Sequence, residues 1–61
     1  MEELLKLINK TKDDHPSLST DCDAILEECK FYIETRGDEE NEIAVAIEII
    51  NDMVKQLEEW E

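Results

Sequence analysis

Leu18, Cys22, Ile25, Cys29 and Tyr32 recur along the chain at spacings of 4, 3, 4 and 3, and Leu26 and Ile33 widen the same stripe. Alternating steps of three and four keep side chains on one side of a helix with about 3.6 residues per turn, so the pattern predicts an amphipathic α-helix over 18–36. Gly37 ends it, because glycine best tolerates the left-handed conformation just past a helix, and Arg36 before it suits the negative end of the dipole. Ser17, Ser19, Thr20 and Asp21 all offer N-cap chemistry at its start, and the sequence does not choose among them.

The same rhythm returns in Ile43, Ile47, Ile50, Val54 and Leu57, with Ala46, Ile49, Met53 and Trp60 as an adjoining row. It predicts a helix over 39–60 whose apolar face is broad enough to contact two others, with Trp60 covering the apolar end of the bundle. The β-branched run from Ile43 to Ile50 also fits a strand, but Ala44, Ala46 and Glu48 within it and the sustained rhythm decide for helix. A shorter pattern puts Leu4, Leu5, Leu7, Ile8 and Thr11 on one side and Glu3, Lys6, Asn9 and Lys10 on the other, giving a helix over 2–12. Glu2 and Glu3 in its first turn and Lys10 and Lys12 in its last complement the dipole, and Asp13-Asp14-His15-Pro16-Ser17 stops it. The expected fold is all-α: one three-helix bundle over residues 1–61, for which a homodimer is one way to complete the core.

Size makes that last point relevant, since a domain of about 60 residues buries only roughly 60% of the surface its unfolded chain exposes. The chain has one Gly, one Pro and one each of Phe, Tyr and Trp, too few turn and strand formers for a small β-fold. Charge changes the picture more. Eighteen residues are Asp or Glu and six are Lys or Arg, a formal net charge of -12. No Lys or Arg occurs between Asp13 and Cys29, nor between Gly37 and Val54, while acids recur through both windows. Like charge at this density raises the free energy of a compact state and attracts cationic partners. Nucleic acid and anionic membrane surfaces would repel it, so the expected counterpart is a basic protein, with no direct nucleic-acid or membrane contact. An acidic start, Met1-Glu2-Glu3, and no apolar run near the roughly 18 residues of a membrane span point to a cytoplasmic protein.

Little in the chain offers chemistry. Cys22 and Cys29 stand seven residues apart, about 10.5 Å along one helix face, too far for a mutual disulfide. Zinc would need closer thiolate pairs and more ligands than His15, so both cysteines read as small buried hydrophobes, the alternatives being a disulfide between two copies of the chain or a metal or redox role shared with His15. His15, expected in a surface loop, has no recognisable nucleophile, and adjacent carboxylates such as Glu27 and Glu28 diverge by about 100° on a helix. With a single glycine there is no phosphate-cradling loop. The expectation is a protein with no cofactor, no metal and no enzymatic activity.

The acids themselves are the candidate site. Asp38, Glu39, Glu40 and Glu42 form the densest group, continued along the third helix by Glu48 and Asp52. A second group is Asp13, Asp14, Asp21, Asp23, Glu27 and Glu28, of which Asp23 and Glu27 are the candidates. Three like-charged pairs at i,i+4 each cost a few tenths of a kcal/mol, roughly, in an isolated helix: Asp23 with Glu27, Asp38 with Glu42, and Glu48 with Asp52. Phe31 and Tyr32 are neighbours that cannot both point inward, so one ring is exposed, and Tyr32 is taken as a contact candidate.

Asp14-His15-Pro16-Ser17-Leu18-Ser19 resembles the Glu-His-Pro segment of the DNase colicin and pyocin immunity proteins, small acidic helical inhibitors of basic nucleases. The resemblance spans about six residues. That family continues into an Asp-Leu-Ile-Tyr-Tyr-Pro run, whereas here Asp21 is followed by Cys22, Asp23 and Ala24, and the chain is shorter by about one helix, so no site residue carries over. What the resemblance implies is that an acidic helical protein of this size can serve as such an inhibitor. The function expected from the sequence is that of a protein-binding module which inhibits or regulates a basic nuclease or nucleic-acid-binding protein. Small phage inhibitors, anti-restriction and anti-CRISPR factors, nucleic-acid mimics, immunity proteins and antitoxins work this way. The alternative is a self-associating structural protein whose acidity serves solubility only.

Overall fold

The computed structural model describes residues 1–60. Among them the chain forms three α-helices, α1 (Glu2–Asp14), α2 (Ser19–Arg36) and α3 (Glu39–Trp60), with a 3-10 turn at Pro16–Leu18 before α2. No strand occurs among the described residues. The fold is a small all-α three-helix bundle.

Side-chain contacts between helices show the relative directions. The N-terminal amine lies 4.0 Å from Glu39 Oε1, and His15 Nε2 lies 4.0 Å from Glu58 Oε1, so α1 and α3 run parallel. Lys12 Nζ and Asp23 Oδ1, 2.6 Å apart, join the last turn of α1 to the early part of α2, which therefore runs antiparallel to both. Every pair of helices is in contact.

Each helix contributes one apolar seam to a common centre: Leu4 and Ile8 from α1, Cys22 and Cys29 from α2, Ala46 and Ile50 from α3. Leu4, Cys22 and Ile50 are completely enclosed. Ile25, Leu26, Ile33, Ile43, Ile47 and Val54 pack around them, partly exposed. So few enclosed side chains is what a chain of this length allows.

Where helices end differs from the sequence reading in instructive ways. α1 continues through Asp13 and Asp14, and the break falls at His15, whose backbone (φ -134°, ψ 77°) has left the helical region. Proline restricts only the residue directly before it, so the two aspartates are free to extend the helix. None of the four candidate caps sets the start of α2. Its approach is closed by backbone bonds of the 3-10 turn, Leu18 N–H to the His15 carbonyl at 2.9 Å and Ser19 N–H to the Pro16 carbonyl. Gly37 does end α2, at φ 76°, its amide still donating to the Ile33 carbonyl at 2.8 Å.

Trp60 is 89% exposed, which overturns its expected place over the end of the core. α3 has 22 residues and spans about 33 Å, against 13 in α1 and 18 in α2, so its end beyond Glu58, the last of its residues seen to reach His15, outruns its neighbours. Leu5 also turns outward, off the seam of Leu4 and Ile8.

Candidate protein-binding surface

Several of the acids grouped by the sequence have structural tasks. Asp38 is the N-cap of α3: its Oδ1 accepts from the Asn41 amide at 3.2 Å and its carbonyl from the Glu42 amide at 3.0 Å. Asp23 pairs with Lys12, and Glu39 faces the N-terminal amine. Glu42 departs most from the expected exposed cluster. It is only 8% exposed, on the buried seam of α3 one turn before Ala46, with Oε1 3.6 Å from Arg36 Nη1.

The like-charge pairs are therefore not equivalent. Lys12 relieves Asp23 beside Glu27, and Arg36 relieves Glu42 beside Asp38. Among the described residues Glu48 and Asp52 have no ion-pair partner, and neither do Glu27, Glu28 and Glu40. Glu27 lies on α2 and Glu40 near the start of α3, so these acids do not converge on one point.

Glu48 and Asp52 share a stripe with two apolar residues. Val45, Glu48, Ile49 and Asp52 stand at i, i+3, i+4 and i+7 on α3, one continuous face. Val45 is 43% and Ile49 44% exposed, on the flank that looks toward α2. Facing them across a groove is a second stripe, Ile25, Glu28, Tyr32 and Arg36 of α2. Arg36 Cζ sits 4.5 Å from the Tyr32 ring centroid while its guanidinium reaches Glu42, which holds the ring and the cation in place. Phe31 meets Tyr32 edge-on, centroids 5.7 Å apart, and is 60% exposed against a half-buried Tyr32, so Phe31 is the open ring of the two.

Sequence reading missed Val45 and Ile49 because apolar residues on an amphipathic helix read as core. The available signal was that Val45 fits neither apolar row of the third helix. It also missed Glu2 and Glu3, which the parallel packing of α1 and α3 brings beside Glu40 around a second groove floored by Ile43, Ala44 and Ile47. That second groove lacks exposed large apolar side chains, since Leu5, Phe31, Val45, Ile49 and Trp60, the large ones exposed among the described residues, all lie elsewhere.

Cys22 and Cys29 are free thiols in the core. Burial pushes both thiols up from their ordinary value. Lys12 opposes the shift at Cys22, where Asp23 and Asp21 add to it; Glu42 adds to it at Cys29. Neither is a ready nucleophile. His15 stands in the connection after α1, as expected, but it is half-buried there with Nε2 4.0 Å from Glu58 Oε1. Among the described residues no group of three or more His, Cys, Asp or Glu is arranged to hold a metal ion. No helix among them is long and apolar enough to cross a membrane.

No protein-family model matches the chain, and comparison with curated proteins and with solved structures gave no significant match. The functional reading therefore rests on the residues themselves.

Proposed function

We propose that this chain is a non-enzymatic binding module whose acidic surface attracts a basic protein and inhibits or regulates it. The observation that carries the reading is the charge left over once the fold has used what it needs. A net charge of -12 persists on 61 residues, and Glu28, which lines the groove between α2 and α3, and Glu48 and Asp52, on the exposed face of α3 beside it, have no counter-ions among the described residues. Exposed acids do little for the stability of so small a bundle and add self-repulsion, whereas they raise encounter rates with cationic surfaces and select against anionic ones. A nuclease or a nucleic-acid-binding protein fits, because its Lys- and Arg-rich surface would be covered by a competing anionic body.

The test is to recover what binds tagged protein in cells that encode it, washing at low and then at physiological salt. The expected result is a basic protein held at low salt and progressively released as the Debye length shrinks from about 30 Å at 0.01 M to about 8 Å at 0.15 M. Retention independent of salt, or of partners without basic surfaces, would remove the electrostatic reading. A second reading, self-association through α3 with acidity for solubility, has one observation in its favour: the exposed pair Val45 and Ile49. Sedimentation of the pure protein at several concentrations separates the two.

A further inference from the structure

We propose that the groove between α2 and α3 seats an amphipathic helix of the basic partner, an inference that rests on the reading above and assigns it a place. The groove has apolar walls, Ile25 and Tyr32 on one side and Val45 and Ile49 on the other, with Ala46 and the Arg36-paired Glu42 buried between them. Glu28 stands on the α2 side with Arg36 at one end, and Glu48 and Asp52 lie just outside the groove, on the same face of α3 as Val45 and Ile49. Two antiparallel helices side by side leave a groove into which the side-chain ridge of another helix fits, completing a four-helix arrangement.

Charge decides among occupants. A second copy of this chain would bring these same uncompensated acids against their equivalents, adding to repulsion between two bodies of net charge -12. A helix with an apolar stripe at i, i+3, i+4 and i+7, flanked by Lys or Arg that meet Glu28 on one side and Glu48 and Asp52 on the other, satisfies the apolar walls and the acids together. It would also relieve Glu48 and Asp52, the like-charged pair that the fold leaves standing. Tyr32, locked by Arg36, and the pair Val45 and Ile49 supply the rigid central contacts typical of binding hot spots.

The probe is a pair of synthetic peptides of about 18 residues, roughly as long as α2, with equal numbers of lysines. In one, leucines follow the helical stripe; in the other, serine replaces every leucine. Isotope-labelled protein is titrated with each, and amide chemical shifts are followed. The inference expects the leucine peptide to bind with the largest shifts at Ile25, Tyr32, Val45 and Ile49, and the serine peptide to bind at least about tenfold more weakly, the loss expected on removing central apolar contacts. Val45→Ser and Ile49→Ser should each weaken the leucine peptide by about tenfold. Both positions are over 40% open to solvent, so circular dichroism should show the fold intact. If either variant unfolds, Glu48→Gln with Asp52→Asn takes its place and should lower the salt sensitivity of binding. Equal binding of both peptides, with shifts spread over the acids of all three helices, overturns the groove and leaves the basic-partner reading standing. Binding of neither peptide overturns both. Concentration-dependent association of the protein through Val45 and Ile49, without peptide, assigns the groove to a second copy and overturns the inference.

Discussion

Arg36 closes the turn between α2 and α3 by reaching back to Glu42, its Nη1 3.6 Å from Oε1, while its guanidinium covers the Tyr32 ring at 4.5 Å. One side chain thus neutralises an acid enclosed at the start of α3 and fixes an aromatic ring at the groove. Arg36→Ala removes both contacts and leaves Glu42 without its cation. Because Arg36 itself is mostly solvated, the expected loss is modest, about 1 to 2 kcal/mol in urea unfolding. Glu42→Gln should cost about 1 kcal/mol, and the double variant less than the sum, since the second change removes an interaction already broken. Strict additivity would mean the two groups do not interact in solution.

Gly37 at φ 76° stands where an added methyl would meet nothing within 4 Å, so replacement there tests backbone conformation apart from packing. Gly37→Ala should lower stability by about 1 to 2 kcal/mol, the cost of holding an L-residue in the left-handed region. In a domain this small that corresponds to a fall in Tm of roughly 4 to 16 °C. An unchanged Tm would show that the turn relaxes out of the left-handed conformation.

Both cysteine thiols are shifted upward by burial, which sets the direction of an alkaline effect. Unfolded, each thiol loses its proton near its ordinary value of about 8.5; folded, it keeps the proton to higher pH. The folded state then binds more protons, so the contribution to stability is complete below about pH 8.5 and declines as pH rises through the folded values. Thermal unfolding in a reducing buffer should move to lower temperature between pH 8 and 10. Cys22→Ala with Cys29→Ala should be less stable at neutral pH yet lose less over that interval.

Salt should stabilise the isolated protein. Screening weakens the attraction of Lys12 for Asp23 and of Lys6 for Glu2, but it also weakens the mutual repulsion of a surplus of twelve negative charges, which is the larger effect. Tm measured from 0.01 to 0.5 M sodium chloride should rise. A fall would show that the ion pairs between helices outweigh the net charge.

Glu48→Gln should raise stability by a few tenths of a kcal/mol, roughly, by removing repulsion from Asp52 one turn away. The same substitution should weaken binding of the amphipathic basic peptide. Opposite signs in urea unfolding and in titration would mark these acids as retained for recognition at a cost to the fold.

The helices were legible because their apolar steps of three and four outnumber every exception, and because Pro16 and Gly37 punctuate the chain at two places where backbone sterics leave little choice. What periodicity does not carry is how much of each apolar flank a neighbour covers. Ile49 and Ile50 are adjacent and chemically identical, yet Ile50 is enclosed and Ile49 is 44% exposed, because α1 and α2 close around one side of α3 only. The placement of the acids was legible in part. Glu48 and Asp52 stand where the helix places them, whereas Glu42 follows the same rhythm inward to the seam of Ala46 and Ile50, and no count of charges along the chain distinguishes these cases. The grooves depend on which helix ends lie side by side, and that information resides in the packing.

The overhanging end of α3 also decides how this molecule can be watched. Its lone indole already sits in water while the chain is folded, so tryptophan emission will change little on denaturation and would understate cooperativity. Far-ultraviolet ellipticity, or absorbance of the half-buried phenol at position 32, is the optical reporter suited to this bundle.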